Sequence, residues 1–309
     1  MHVETQARKG RKYYYLSRTL RNGNAWKKIR VYLGRDLSKL EIENLSLQKK
    51  SELEAKAAAI SRKIDPLLGV ISDTDAAELD KIRKKIGERT KRTGKAQHQN
   101  YYEHFVTQFT YDTNAIEGST LSLQDTSLIL FEKTVPKGKS LKEISEAQNH
   151  KDAFDFMLQY KGDLTSAFIL KIHKILMHNI LWKYAGKFRD TQVYIRGSSL
   201  RPPSPGRVEQ EFRQMMIWYR RNKKKYHPAV VAAAMHHGFE SVHPFMDGNG
   251  RVGRLILNFV LRKNGFPPID IKFSDREAYY EALDRADNGD LKPLADLIIK
   301  YVRQSEIIL

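Results

Sequence analysis

The segment HPFMDGNGRVGR, from His243 to Arg254, constrains the fold more than any other part of the chain. Residues 229–242 before it and 251–264 after it repeat apolar side chains at helical spacing. Gly265 and a pair of prolines end the second pattern. The glycine-rich turn is therefore expected at the start of a helix, where free backbone N–H groups and the helix dipole favour an anion.

The side chains of this segment suit a phosphorylated ligand. His243 can accept a proton near neutral pH, and Asp247 is a hard oxygen ligand of the kind that Mg²⁺ takes alongside phosphates. Gly248 lets the backbone approach an anion closely. Arg251 and Arg254 can each hold phosphate oxygens through paired hydrogen bonds. Together they predict a nucleotide-phosphate site with its own base.

The string also resembles the Fic motif, HPFx(D/E)GNGRxxR, at every defining position. The resemblance implies a protein adenylyltransferase that moves AMP from ATP to a Ser, Thr or Tyr hydroxyl of a target protein. His243 would be the catalytic base, and Asp247 would hold Mg²⁺, or Mn²⁺ in its place. The expected nucleotide-binding positions of the segment are Asp247, Gly248, Asn249, Gly250, Arg251, Val252, Gly253 and Arg254. In-line transfer at phosphorus independently requires a base, a metal and donors around the phosphate oxygens.

A second segment resembles the β-hairpin flap that covers Fic active sites, at about residues 187–200. Its centre is extended and β-branched, and its end is rich in proline. An exposed strand edge can pair with any extended peptide through main-chain hydrogen bonds. The resemblance implies that the flap presents the target and borders the nucleotide with Val193, Tyr194, Ile195 and Arg196.

A third segment resembles the Fic inhibitory motif, (S/T)xxxE(G/N), in the arrangement where the inhibitory helix precedes the catalytic domain. Thr113, Glu117 and Gly118 match its defining positions, on a helix expected at about 97–118. The implied mechanism is that Glu117 pairs with Arg254 and removes the donor that should hold the γ-phosphate. A shielded carboxylate–guanidinium pair is charge-assisted, so its loss should shift the enzyme from idle to active.

A weaker resemblance covers the region that lines the adenine pocket in the family. Tyr279 or Tyr280 is expected to stack on a base. The asparagine of the family falls on Asp287, and this departure leaves a strict preference for adenine open.

Helical patterns dominate residues 97–305, so the expected fold is mainly α: a Fic-type helical bundle with a small β-hairpin flap. Residues 1–100 hold 24 basic and 12 acidic side chains, which indicates a separate module with an anionic partner. We place the domain boundary near residue 95. A basic N-terminal module then covers 1–95, and the Fic domain covers 96–309.

Within the N-terminal module, residues 11–34 predict a β-hairpin, because two β-prone runs flank Asn22 and Gly23. Helices are expected at about 38–63 and 75–92. Basic residues interleaved with aromatic ones are typical of a nucleic-acid-binding ribbon. A hairpin docked on neighbouring helices explains the same pattern and is the interpretation we favour.

Composition limits the remaining possibilities. The chain of 309 residues contains no cysteine, which excludes disulfides, thiolate catalysis and a zinc ribbon. We find no apolar run of about 18 residues and no apolar core of a secretory signal. We therefore expect a cytoplasmic protein without a membrane span; a dimer is one possible oligomeric state.

Three functions stay open on the sequence alone. The first is transfer of AMP to a protein, restrained by Glu117. The second is removal of AMP from a modified protein at the same site, with Glu117 positioning water. The third is nucleic-acid or other polyanion binding through the basic N-terminal module.

Overall fold

The structure is a computed structural model that describes residues 1–22, 25–195 and 200–305. Two compact units divide the chain, Met1–Gly69 and Val70–Leu309. The boundary lies before the helix expected at 75–92, so that helix belongs to the second unit. In the described ranges, no helix combines the length and apolar character that a membrane crossing requires.

The first unit is a three-stranded antiparallel sheet with two helices. Its strands are β1 (His2–Arg8), β2 (Arg11–Asn22) and β3 (Ala25–Arg35), in the order β1-β2-β3. The expected hairpin is β2 and β3, and β1 adds an outer strand that the sequence pattern did not predict. The tip residues Gly23 and Asn24 lie outside the described residues.

Two helices pack on one face of this sheet, α1 (Lys39–Gln48) and α2 (Lys50–Ile64). The sequence pattern predicted one helix here, but Lys49 departs from helical geometry at ψ 6° and separates the two. Alternation in β3 places one set of side chains in a small core with the helices. That core contains Leu16, Ile29, Val31, Leu33, Leu53 and Ala57.

The second unit is a bundle of helices, which confirms the mainly α fold. The helices are α3 (Asp73–Arg92), α4 (Lys95–Ile116), α5 (Leu123–Ser127), α6 (Leu141–Gln159), α7 (Ser166–Leu176), α8 (Pro205–Asn222), α9 (Pro228–Val242), α10 (Asn249–Lys263), α11 (Arg276–Asp287) and α12 (Lys292–Gln304). A π-helical turn, Leu128–Glu132, follows α5. Short 3₁₀ turns occur at Pro66–Gly69 in the first unit and Phe273–Asp275 in the second.

Helix α10 is the centre of the bundle. Nearly all of its residues from Asn249 to Leu261 are buried, which explains why its sequence is apolar on more than one face. It packs against α9, α6, α7 and α4. The turn between α9 and α10 is therefore held by elements from most of the unit.

Candidate active site

The turn between α9 and α10 uses left-handed backbone conformations at both ends. His243 caps α9 with φ 46° and ψ 60°, and it donates its N–H to the Phe239 carbonyl at 2.9 Å. Gly248 caps α10 with φ 78°, a conformation that glycine adopts without a Cβ clash. A non-glycine residue at positive φ is strained, so the surrounding contacts must hold His243 in place.

Reciprocal hydrogen bonds and ring stacking support the turn from inside the bundle. Asn249 accepts from the Phe245 N–H and donates to the Phe245 carbonyl, both at 2.9 Å. The buried Phe245 ring stacks on His173 with centroids 3.7 Å apart. His173 accepts from the Gly186 N–H through Nδ1 at 2.9 Å, so its Nε2–H donates to the Asp247 carbonyl at 3.1 Å. Phe245 is thus the anchor of the loop.

Arg189 supports the turn from the other side. It is 2% exposed, and its guanidinium donates to the carbonyls of His243 at 2.8 Å, Thr191 at 3.0 Å and Pro203 at 2.5 Å. Its backbone N–H donates to the Pro244 carbonyl at 3.0 Å. One buried cation therefore fixes the backbone at His243 and joins it to the segment expected to form the flap.

A hydrogen bond to the backbone fixes the tautomer of the His243 imidazole. Its Nδ1 lies 3.3 Å from the Glu240 carbonyl oxygen, which can only accept a hydrogen bond, so Nδ1 carries the proton and Nε2 keeps a lone pair. Burial lowers the pKa of His243 to about 4. The ring is consequently neutral at pH 7 and able to act as a base.

Asp247 is the accessible carboxylate of the turn, with 40% of its side chain exposed. Its Oδ1 accepts from the Gly248 N–H at 2.6 Å and from Arg251 Nη2 at 3.3 Å. Arg251 is 3% exposed and also pairs with Glu146 at 3.1 Å. Arg251 is therefore placed to orient Asp247, in addition to any contact with phosphate.

Asp247 fits a magnesium ion that shares its ligands with a substrate. Among the described residues, no group of three or more His, Asp or Glu side chains could form a protein cage for a metal. Mg²⁺ is commonly held by one or two carboxylates together with phosphates and water. The exposed Asp247 beside the glycine-rich start of α10 meets that requirement, and the sequence expectation of Asp247 as metal ligand remains a prediction.

Glu117 and Arg254 form an ion pair between α4 and α10. Glu117 Oε1 accepts from Arg254 Nη2 at 2.6 Å. Arg254 is 2% exposed, whereas the Glu117 side chain is 38% exposed. Thr113 holds the same guanidinium through its carbonyl at 3.1 Å and its hydroxyl at 3.3 Å. Burial alone would lower the pKa of Arg254, but the charge of Glu117 raises it overall.

The end of α4 fixes the position of the Glu117 carboxylate. Gly118 follows at φ 101°, in the region that favours glycine, and its N–H donates to the Ala115 carbonyl at 3.0 Å. A Cβ built on Gly250 would overlap the Glu117 carboxylate oxygen and would stand 3.1 Å from its Cδ. The carboxylate thus lies directly on the glycine-rich turn, in the space where the phosphate group is expected.

A buried polar chain connects Arg254 to the neighbourhood of His243. Tyr279 lies 3.5 Å from Arg254 Nη1 and 2.7 Å from His236 Nε2. His236 Nδ1 faces Glu240 Oε1 at 4.0 Å, and Glu240 Oε2 lies 4.0 Å from His243 Nδ1. Burial raises the pKa of Glu240 to about 8, so this carboxyl group is mostly protonated at pH 7.

The residues expected around the nucleotide's base, Tyr279, Tyr280 and Asp287, have different environments. Tyr279 is 1% exposed and its hydroxyl is engaged within the polar chain, whereas Tyr280 is 44% exposed. Asp287 is held by His237 at 2.7 Å and by Ser241 at 3.3 Å. Of the two tyrosines, Tyr280 is therefore the one that presents a ring to solvent.

The segment expected to form the flap is irregular where it is described. Residues 187–195 and 200 contain no assigned strand. Tyr194 is 80% exposed, and the Gln192 amide donates to the Val193 and Pro202 carbonyls, both at 3.2 Å. Arg196, predicted to border the nucleotide, lies outside the described residues.

Sequence reasoning missed three groups that shape the site: Glu240, Arg189 and Glu146. None belongs to the twelve-residue motif. Glu240 lies one helical turn before His243, so this spacing could have indicated that the two side chains lie close together. Arg189 and Glu146 reach the turn from distant parts of the chain, and no local pattern marks them.

Comparisons with known proteins agree with this geometry. Residues 163–261 match the model of the Fic/DOC family. The chain is similar to the protein adenylyltransferase Fic of Nematostella vectensis, with 33% identity over 66% of this chain and 48% of the relative. It is likewise similar to the protein adenylyltransferase Fic of Drosophila ananassae, with 30% identity over 74% of this chain and 47% of the relative. The chain spans about half the length of these curated relatives.

Solved structures give the same assignment of fold. A Fic-1 fragment from Caenorhabditis elegans matches with a TM-score of 0.67 and 26% identity, covering 85% of this chain and 83% of the fragment. A Fic-domain protein from Bacteroides thetaiotaomicron has the same fold, with a TM-score of 0.67 at 24% identity over 74% of this chain and 93% of its own. The motif, the bundle and these matches agree, and the chain belongs to the Fic/DOC family.

Proposed function

We propose that this chain is a protein adenylyltransferase that transfers AMP from ATP to a hydroxyl side chain of a target protein. The observation that carries the proposal is the turn itself. A neutral imidazole, an accessible carboxylate and a glycine-rich helix start converge on one anion-binding surface. The similarity to relatives named protein adenylyltransferase supports the same conclusion.

The positions of these groups support the following reaction. The target hydroxyl approaches His243 Nε2, which accepts its proton as the oxygen attacks the α-phosphorus of ATP. The new O–P bond forms while the bond to the β-phosphate oxygen breaks, and pyrophosphate leaves. When bound, Mg²⁺ would neutralise phosphate charge, and Asp247 is the residue that would hold it. The N–H groups at the start of α10 would stabilise the charge that develops on the phosphate oxygens.

We further propose that Glu117 restrains this activity. Its carboxylate occupies the glycine-rich turn and engages the Arg254 guanidinium. A triphosphate would compete with it for both the space and the cation. An ATP molecule that binds beside Glu117 would then hold its α-phosphate out of line with the hydroxyl.

Mass spectrometry of the intact protein tests the reaction. The Glu117→Gly protein is incubated with Mg²⁺ and each nucleoside triphosphate in turn. We expect a mass gain of one AMP with ATP, by modification of the protein itself or of an added target. Combining Glu117→Gly with His243→Ala should abolish the gain. Incorporation that survives the loss of His243 would contradict the assignment of the base.

Removal of AMP is a second candidate, favoured by the partial exposure of Glu117. A carboxylate that is 38% exposed beside the phosphate turn can orient a water molecule as well as repel a triphosphate. Target protein carrying AMP is presented to the wild type and to Glu117→Gly. Release of AMP that depends on Glu117 supports removal, and release by neither protein supports transfer alone.

A further inference from the structure

The sheet of the first unit has one face that the α1 and α2 core does not use. In the strand register, Tyr15 lies opposite Tyr32, and Leu16 lies opposite the buried Val31. Because side chains alternate between the two faces, Tyr15 and Tyr32 lie on the face away from that core. We call this the outer face; it also carries Glu4, Tyr13, Lys28 and Arg30.

Aromatic rings form a connected row on the outer face. The Tyr32 ring lies 5.4 Å from the Tyr15 ring and 6.5 Å from the Tyr13 ring. Tyr32 is 45% exposed, and Trp26, further along the same strand face, is 68% exposed. Large exposed rings that are not part of a core commonly mark a binding surface.

The charge around these rings is strongly positive. Residues 1–35 contain ten Lys or Arg side chains and one carboxylate, Glu4. That carboxylate pairs with Arg30 at 2.7 Å and with Lys28 at 3.2 Å. Both pairs hold their cations against the sheet beside the tyrosines while leaving them about 40% exposed, at 42% for Arg30 and 41% for Lys28.

A row of rings flanked by cations on one face of a sheet suits a particular kind of ligand. Bases of a single strand stack on aromatic side chains while its phosphates follow a positive surface. A duplex hides its base faces, and an acidic peptide would leave the rings without a partner. We propose that the outer face of the β1–β3 sheet binds single-stranded nucleic acid, with Tyr32 and Tyr15 stacking on bases and Lys28 and Arg30 facing phosphates.

Fluorescence anisotropy of the full chain tests this proposal. The probe is labelled oligothymidylate of about 12 nucleotides, within the range that small stacking surfaces cover. We expect binding that weakens about tenfold with Tyr32→Ala and is retained with Tyr32→Phe. Lys28→Ala should reduce the slope of log Kd against log salt by about 0.7. The matched control is Lys56→Ala, because Lys56 lies on the surface of α2 and pairs with Glu52 at 2.8 Å.

Several outcomes would overturn the proposal. These are absence of binding, equally tight binding of a duplex of the same length, and equal weakening by Tyr32→Ala and Lys56→Ala. If Tyr32→Ala lowers the melting temperature of the protein, Tyr32→Val replaces it, since valine keeps the β preference and removes only the ring. An oligouridylate probe of the same length then distinguishes RNA from DNA as the partner.

Discussion

The ion pair between Glu117 and Arg254 gives the sharpest quantitative prediction. A hydrogen bond to a charged group contributes about 1.5–3 kcal/mol, and the partial exposure of Glu117 places this pair towards the lower end. About 1.4 kcal/mol corresponds to a factor of ten. Loss of the pair alone should therefore raise the rate of AMP incorporation about tenfold when ATP is below saturation.

Three substitutions separate charge from occupied space. Glu117→Gln keeps the volume over Gly250 and removes the charge. Its rate of AMP incorporation should therefore rise only by the factor of about ten that loss of the ion pair gives. Glu117→Ala removes both, and it should be more active because the space beside Gly250 that the carboxylate fills also becomes available to a phosphate group. Glu117→Gly should match Glu117→Ala if the added backbone freedom of glycine is unimportant.

The assay is the initial rate of AMP incorporation from labelled ATP, measured across ATP concentrations. Glu103→Ala removes a half-buried carboxylate of the same helix that accepts a hydrogen bond from Gln99 at 2.7 Å. It is the control and should behave as wild type. Wild-type rates in all three Glu117 variants would refute the restraint. Equal rates in Glu117→Gln and Glu117→Ala would refute the contribution of occupied space.

Three further predictions concern titratable or charged side chains inside the second unit. Burial raises the pKa of Glu240 from 4.5 to about 8, so the stability that the protonated carboxyl group contributes is complete below pH 4.5 and is lost as the pH rises through about 8. The free energy of unfolding of the wild type should therefore fall by roughly a few kcal/mol between those pH values. Thermal unfolding of Glu240→Gln over the same pH range should show no such fall. Burial lowers the pKa of His243 to about 4, so AMP incorporation by Glu117→Gly should show no loss centred near pH 6.5, and a loss there would contradict a neutral buried base. Arg189→Lys cannot reproduce three donations to separate carbonyls, so it should lower the free energy of unfolding by roughly 1–3 kcal/mol, measured in urea against Arg207→Lys on the surface of α8.

The sequence predicted those parts of the fold and site that depend on neighbouring residues. Helical spacing located α9 and α10, and the glycine between them marked the turn. Strand β1 was not predicted, because its sequence pattern is weak and its pairing with β2 depends on contacts across the sheet. The division at Lys49 was also missed, since lysine itself has no tendency to end a helix.

Roles that depend on long-range packing were harder to predict. Arg251 belongs to the motif, yet its contacts with Glu146 from α6 and with Asp247 show a supporting position that the string does not reveal. Tyr279 and Tyr280 are adjacent in sequence, and only the packing of α11 shows that the first is buried and the second exposed. Side-chain direction on a helix changes by about 100° per residue, so neighbours commonly meet different surroundings.

In the proposed mechanism, the buried polar chain between Arg254 and His243 links the restraint by Glu117 to the catalytic base. Glu117 raises the pKa of Glu240, whereas Arg254 lowers it, although burial has the largest effect. When Glu117 leaves, Arg254 acts on Glu240 without that opposing charge, and the carboxyl group gives up its proton more readily. An ionised Glu240, 4.0 Å from His243 Nδ1, would stabilise the imidazolium that forms when His243 accepts the proton of the hydroxyl. Glu117 itself also raises the pKa of His243, and its release removes that direct contribution. Release of Glu117 would therefore open the phosphate site and transfer the stabilisation of the imidazolium from the charge of Glu117 to that of Glu240.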